Sequence, residues 1–240
     1  MTTLVVTGGG QGIGAAICRR AATQGWAVCL SYSSSATAAE QIAQDILAQG
    51  GRALAVQADA ADEAATTRLF QAAAGLGPVT GVVVNAGITG PMTGIEGLEA
   101  DALDRVLDVN VRGAFLTLRE AARTMRSGGI VMVSSMASKL GGSGEWVHYA
   151  ASKGAVDTMT IGAAKELATR GIRVNAVLPG LIDTAIHTKA GRPDRVATIA
   201  PTVPLRRAGT ADEVAKAVLW LLSDDAAYIT GALLPVSGGR

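Results

Sequence analysis

The sequence predicts an α/β protein: a doubly wound, parallel, seven-stranded sheet with helices on both faces, three layers in a single domain. Three observations carry this expectation. Short β-branched runs alternate with Ala-rich segments of helical period along all 240 residues. Several of the runs are almost continuously apolar, as strands covered on both faces are. No linker, repeat or low-complexity tract interrupts the alternation, so residues 1–240 read as one unit joined by right-handed βαβ crossovers.

In order, strand 3–7 (TLVVT) leads through a glycine-rich turn into helix 12–24. Strand 27–32 (AVCLSY) precedes helix 36–49, and strand 52–57 (RALAVQ) precedes helix 62–74. Strand 81–86 (GVVVNA) is followed by helix 99–126, in which Leu103, Val106, Leu107 and Val111 recur at i, i+3, i+4 spacing. Strand 129–135 (GIVMVSS) precedes helix 149–169, and strand 172–178 (IRVNAVL) precedes helix 211–222, where Val214, Val218, Leu221 and Leu222 repeat the pattern. Strand 232–236 (ALLPV) completes the set. Two stretches, 87–98 and 184–210, break the rhythm with Gly, Pro and Thr. Both follow strands, at the edge where open α/β sheets take ligands, and their length marks them as binding loops. Residues 184–210 are the expected substrate loop.

Composition excludes more than it names. Folding at this mass of 24.2 kDa buries about 70% of the extended chain's surface, enough for a large core without staples. Hydrophobic residues make up 49% and charged ones 17%, which rules out a disordered chain. Lys+Arg number 21 against 20 Asp+Glu, a net charge of +1 that lacks the basic footprint of a nucleic-acid binder. Cys18 and Cys29 sit in apolar surroundings without metal-ligand spacing and read as buried free thiols. His148 and His187 have no third ligand at metal spacing, so no metal is expected. The start MTTLVVTGGG has no basic region or cleavage site, and no stretch approaches 18 uninterrupted apolar residues. A cytoplasmic location without membrane contact is the expectation.

Chemistry enters at Thr7-Gly8-Gly9-Gly10-Gln11-Gly12-Ile13-Gly14, which ends the first strand and opens the first helix. Glycines there permit a tight turn and let backbone approach a pyrophosphate, whose charge the helix N-terminus favours. A GxGxxA register fits Gly10, Gly12 and Ala15, but TGxxxGxG fits better, with Gly8, Gly12 and Gly14 as the spaced set. An NAD-type site needs a carboxylate at the end of the second strand, about 20 residues past the turn. That place holds Ser31-Tyr32-Ser33-Ser34-Ser35, with no Asp or Glu before Glu40. Absence of a carboxylate removes repulsion against a 2′-phosphate, so NADP(H) is favoured over NAD(H), although Gln11 stands where a basic side chain would strengthen that choice.

TGGGQGIG, then Asn85-Ala86-Gly87, Tyr149-Ala150-Ala151-Ser152-Lys153 and Pro179-Gly180 together resemble the short-chain dehydrogenase/reductase family. The resemblance covers essentially the whole chain in order, and its TGxxxGxG spacing is that of the single-domain branch, which includes 3-oxoacyl reductases and glucose dehydrogenases. It implies a Rossmann fold and a cofactor site drawn from Gly8, Gly10, Gln11, Gly12, Ile13, Gly14, Tyr32, Ser33, Ser34, Asp59, Ala60, Asn85, Ala86, Gly87, Tyr149, Lys153, Pro179, Gly180, Ile182 and Thr184. By that resemblance Asp59 binds the adenine amino group and Thr184 the nicotinamide carboxamide. Two structural alternatives stay open: Asp59 as the N-cap of the helix beginning near Asp62, and Asn85 as a tie between strands.

The resemblance also implies a catalytic set of Asn110, Ser135, Tyr149 and Lys153. Tyr149 and Lys153 are four apart and share one helix face. A phenol titrates near pH 10, and a neighbouring ammonium is expected to bring it down toward useful acid/base chemistry. The family's serine is usually the second of such a pair as Ser134-Ser135; the interval to Tyr149 leaves Ser134 open. Asn110 corresponds to a helix Asn that holds a water beside the Lys, or else kinks its helix through backbone bonds. Met136, Leu140, Trp146, Leu181 and Ile186 are the expected apolar pocket wall, with His148 and His187 at its mouth. Arg123, Arg126 and Arg170 are either an acyl-carrier docking patch or solvated helix ends. The ending VSGGR, in place of the family's frequent VDGG, bears on subunit packing, and the resemblance implies homotetramers or dimers paired through helices 99–126 and 149–169.

The activity so implied is hydride transfer between NADP(H) and a small-molecule carbonyl or secondary alcohol, with Tyr149 as general acid/base. Two other readings compete: a non-catalytic dinucleotide sensor, which predicts a damaged Ser/Tyr/Lys set, and a methyltransferase, in which the Tyr–Lys pair and Asn110 have no task.

Overall fold

The computed structural model describes residues 2–185, 188 and 191–240. Seven parallel strands form the sheet: β1 (Thr3–Val6), β2 (Ala27–Tyr32), β3 (Arg52–Gln57), β4 (Val79–Val84), β5 (Gly128–Val133), β6 (Ile172–Pro179) and β9 (Leu233–Val236). Their spatial order is β3-β2-β1-β4-β5-β6-β9. The chain therefore winds outward from β1 to β3, then returns to pair β4 with the other side of β1. That reversal opens a crevice at the carboxyl ends of β1 and β4, where doubly wound sheets bind ligands. A two-stranded ribbon, β7 (Ile182–Asp183) with β8 (Gly209–Thr210), brackets the 184–210 loop.

The period of two in a strand builds two cores. On one face, Leu4, Val6, Val28 and Leu30 meet Ile17 and Cys18 of α1 (Gly12–Thr23), Ile42 and Ile46 of α2 (Ala36–Ala48), and Val218 and Leu222 of α9 (Ala211–Leu222). On the other, Val5, Cys29, Val82 and Met132 meet Leu69 and Phe70 of α3 (Glu63–Leu76), Leu118 of α5 (Gly113–Thr124) and Val156 of α7 (Val147–Leu167). Two helix starts carry side-chain caps: Asp62 accepts from Ala65 N at 3.1 Å, and Thr210 and Glu213 form a reciprocal capping box before α9.

The structure differs from expectation in three places. The helix expected over 99–126 is divided into α4 (Ala100–Leu107), a π turn (Asp108–Arg112) and α5. A short helix, α6 (Ala137–Leu140), follows β5, and another, α8 (Arg195–Ile199), lies inside the 184–210 loop. Besides these, the VSGGR ending makes contacts inside the chain: a Cβ on Gly180 would stand 2.8 Å from Ser237, and Leu205 N donates to the Gly238 carbonyl.

Both cysteines are free and fully buried, one on each side of the sheet. Burial pushes both thiols up, Cys29 to about 12 from an ordinary 9.0. Above pH 9 the unfolded chain loses protons that the folded chain keeps, so each thiol lowers stability by roughly 1.4 kcal/mol per pH unit. Buried Lys153 acts oppositely between about 8 and its ordinary 10.5, because there the folded state has released a proton that the unfolded state retains. Two thiols outweigh one lysine, and urea midpoints are expected to fall from pH 9 to 10.5. In a Cys18→Ala/Cys29→Ala variant that fall disappears; an unchanged slope would sink the account.

Candidate active site

Thr7 and Asn85 fasten the crevice. Thr7 Oγ1 accepts from Asn85 N at 3.0 Å and Ala86 N at 3.1 Å, while Asn85 Nδ2 donates to the Thr7 and Gly8 carbonyls at 2.9 and 3.0 Å. Asn85 is thus a tie between β1 and β4. Gly8 and Gly12 have φ of +63° and +52°, a conformation open to glycine at little cost. A Cβ on Gly14 would lie 2.3 Å from the Gly8 carbonyl oxygen, whereas above Gly12 only the Thr184 side chain comes near, at 3.6 Å. Gly10 packs against Ala39 of α2, and Gly9 against Leu30 and Cys18. Gln11 is the exposed N-cap residue of α1, and Ile13 is half-buried beside it. A tight turn, a helix N-terminus and open space over Gly12 fit a pyrophosphate.

Along the crevice, Ser31 is buried and its hydroxyl accepts from Gly8 N at 3.2 Å, so it braces the turn. Tyr32 is half-buried, and Ser33 and Ser34 are exposed at the end of β2. Asp59 does not cap α3; Asp62 does. Asp59 instead accepts from Ala61 N at 3.0 Å and pairs with Arg105 at 2.8 Å. Burial opposes its ionisation, but the Arg105 bond and the Ala61 N–H prevail and hold its carboxyl below the ordinary range. Ala60 touches Gly113, where a Cβ would come within 3.0 Å. Thr184 and Ile182 follow Pro179-Gly180 and bring the start of the loop beside Gly12.

The π turn delivers Asn110. It is 1% exposed; its Oδ1 accepts from Ile88 N at 2.8 Å, and its Nδ2 donates to the Ile88 carbonyl and to Ser152 Oγ at 2.8 and 2.9 Å. Widened turns of this kind recur at functional sites. A Cβ on Gly87 would stand 3.2 Å from Asn110 Oδ1 and 3.3 Å from Lys153 Nζ. Glycine at 87 therefore lets Asn110 and Lys153 converge on the end of β4.

The two serines after β5 divide. Ser134 is buried and donates to Asp157 Oδ1 at 2.6 Å. Ser135 is half-buried, accepts from Ala137 N at 3.1 Å and stands beside the Tyr149 phenol, whose ionisation it favours. Tyr149 lies in the first turn of α7, and the Lys153 ammonium is 5.8 Å from its ring centroid. Lys153 is buried and donates to the Val133 carbonyl at 2.8 Å. The expected lowering of the phenol by the ammonium is not what this arrangement gives. Burial pushes Tyr149 up, Ser135 opposing it, and burial brings Lys153 down to about 8 against the pull of Asp157. Desolvation is the largest effect on both, on half-buried Tyr149 as on buried Lys153.

Other expected residues separate. Trp146 is buried beneath Arg195, whose guanidinium lies 4.5 Å from the ring and 2.6 Å from Glu145. Leu181 is buried, Met136 half-buried and Leu140 exposed. Ile186 and His187 lie outside the described residues. His148 is buried against the Thr89 carbonyl at 3.0 Å and anchors the 87–98 loop. Arg170 donates to the Ala122 and Met125 carbonyls at the end of α5, and Arg123 pairs with Glu120, so these two serve helix ends. Sequence reading passed over Asp157, although its i+4 spacing from Lys153 put it on the same face, and over the Arg195–Glu145 pair, which no local pattern signals. Among the described residues, no group of three His, Cys, Asp or Glu side chains is placed to hold a metal ion, and no helix is long and apolar enough to cross a membrane.

Residues 8–240 match the family model described as enoyl-(acyl carrier protein) reductase. The oxidoreductase YgfF of Escherichia coli K12, itself uncharacterised, is 43% identical over 247 residues, covering 100% of both chains. A short-chain dehydrogenase/reductase from Serratia marcescens superposes with a TM-score of 0.93 at 38% identity, over 99% of this chain and 97% of that one. A short-chain dehydrogenase from Burkholderia cenocepacia, solved in complex with NADP, gives 0.93 at 34% identity with the same coverage. Likeness of this depth, sustained along almost all of both chains, makes this protein a member of the short-chain dehydrogenase/reductase family, and hence an NAD(P)-dependent oxidoreductase.

Proposed function

We propose that this protein is an NADP(H)-dependent reductase of ketones that also oxidises secondary alcohols, with Tyr149 as its general acid/base. The observation that carries the reading is that Ser135 stands beside the Tyr149 phenol, with buried Lys153 5.8 Å from its ring and one turn along the same helix. When bound, the nicotinamide supplies hydride to the substrate carbon or takes it back. Tyr149 gives its proton to the substrate oxygen in reduction and receives one from the alcohol in oxidation. Ser135 holds that oxygen by a hydrogen bond. Lys153, fixed on the Val133 carbonyl, offers its remaining protons to the ribose hydroxyls and its charge to the phenolate. Asn110 fixes the backbone at Ile88, beside them.

Gly8, Gly12, Gly14 and the start of α1 are assigned to the pyrophosphate, Asp59 to the adenine, Gly87 to the ribose and Thr184 to the carboxamide. Exposed Ser33 and Ser34, with no carboxylate between them and Glu40, support NADP(H) over NAD(H). The 184–210 loop is assigned to the substrate, an aliphatic or cyclic ketone or a 3-oxoacyl thioester. Phe115, 55% exposed on α5, and exposed Leu107 and Ile161 support pairing of copies through α4, α5 and α7, as a dimer or tetramer. Two free buried thiols accord with a cytoplasmic setting.

The test is NADPH oxidation with a panel of aliphatic ketones, cyclic ketones and 3-oxoacyl thioesters, with NADH run in parallel. Turnover of at least one class, faster with NADPH, is expected. Tight NADPH binding with no turnover of any substrate overturns the enzyme and favours the dinucleotide sensor.

A further inference from the structure

One turn beyond Lys153 on α7 stands a carboxylate that the reaction above does not use. Asp157 is 5% exposed. Ser134 Oγ donates to its Oδ1 at 2.6 Å, and Lys139 Nζ lies 2.9 Å from its Oδ2. Ser134 follows β5 and Lys139 belongs to α6, so one side chain holds both ends of the 134–139 segment against α7. Between those ends is Ser135, the neighbour of the Tyr149 phenol. Ser134 Oγ also reaches the Lys153 carbonyl at 3.2 Å, which ties the segment to the lysine's own backbone.

Lys153 is 4% exposed, and an unpaired buried ammonium is costly. Around it are Tyr149 and Asp157 from its own helix, Asn110 from the π turn and the Val133 carbonyl; Ser134 reaches its backbone carbonyl, and Lys139 of α6 stands behind Asp157. Asp157 is the carboxylate whose charge acts on it. Lys139, with its side chain 47% exposed, neutralises part of that charge from the solvent side.

Resting on the roles given above to Tyr149, Ser135 and Lys153, we infer that Asp157 is a positioning residue for the reaction: it clamps the segment bearing Ser135 onto the helix bearing Tyr149 and provides the counter-charge of the buried Lys153 ammonium. Lys139 sets how much of that counter-charge Lys153 feels.

The inference assigns opposite signs to two substitutions. The full chain, labelled with ¹³C at the lysine ε carbons, is titrated by NMR without cofactor, and Lys153→Arg identifies the resonance. Asp157→Asn is expected to lower the Lys153 midpoint by about one pH unit, and Lys139→Met to raise it, because removing the outer cation frees the Asp157 charge. In steady state, Asp157→Asn lowers kcat by about tenfold or more through misplacement of Ser135, leaves the KM for NADPH within about twofold, and moves the pH profile in the direction of the NMR midpoint. Asp157→Glu recovers part of the loss. A midpoint that stays put in both variants, or moves the same way in both, overturns the inference. If Asp157→Asn does not fold, Lys139→Met alone decides by raising the midpoint or not. Failure of every carbonyl substrate refutes the proposed activity, while the titration still tests the role of Asp157 independently.

Discussion

Tyr149→Phe is expected to reduce kcat/KM for any carbonyl substrate by about 10²- to 10⁴-fold, the range attributable to a positioned acid/base. The substitution removes one oxygen and keeps the ring. Packing against Lys153 at 5.8 Å is preserved, and only the hydroxyl beside Ser135 is lost. NADPH affinity and melting temperature should therefore stay near wild type, so that the loss lies in the chemical step and not in binding. The raised phenol points the same way for reduction: at neutral pH Tyr149 holds the proton that it must give. In the oxidative direction the phenolate is needed, so alcohol oxidation is expected to quicken as pH rises. Measuring both directions across pH with wild type and variant checks the pair of claims. A variant that keeps more than a tenth of the rate takes Tyr149 out of the reaction.

Gly14→Ala is expected to damage stability and cofactor binding together. The new methyl would lie 2.3 Å from the Gly8 carbonyl oxygen and 2.7 Å from Asn85 Nδ2. The carbonyl is backbone, and the amide is the one that ties β1 to β4, so neither yields without opening the crevice. Overpacking of this kind costs about 1–3 kcal/mol, or a melting temperature lowered by roughly 3–10 °C in a chain of this size. NADPH affinity, read by fluorescence titration, should fall by about tenfold, the equivalent of 1.4 kcal/mol. Gly75→Ala is the matched control: Gly75 lies within α3, nothing stands within 4 Å of its Cβ position, and its φ is ordinary. That variant should melt at or slightly above wild type. Equal behaviour of the two variants would show that the turn tolerates a side chain.

Much of this site was legible because it is local. The glycine turn, the Tyr–Lys spacing and the Asn85 segment each lie within eight residues, and the alternation of elements fixes which end of the sheet they share. What stayed hidden is held by partners far apart in sequence. Leu103, Val106, Leu107 and Val111 continue a helical pattern through the place where the helix widens. The cause lies elsewhere, in Ile88 and Ser152, which draw Asn110 inward. Asp59 stood open as a cap or as a ligand residue; Asp62 took the cap, and Arg105, 46 positions away, pairs with Asp59. Ser134 and Ser135 could not be told apart by spacing, because their difference is which side of β5 each faces: one toward Asp157, the other toward Tyr149.

By itself, then, the sequence determined the doubly wound sheet, the strand ends that form the candidate site and the residues that cluster there, since periodicity and turn chemistry act over one or two turns of chain. Only the tertiary structure decided the ionisation and bonding of those residues. Burial raises Tyr149 and lowers Lys153 where adjacency alone predicted a lowered phenol, and a buried aspartate from the next turn answers the lysine's charge. Desolvation depends on everything packed around a group, and that surrounding is assembled from strands and helices that no short window of sequence contains.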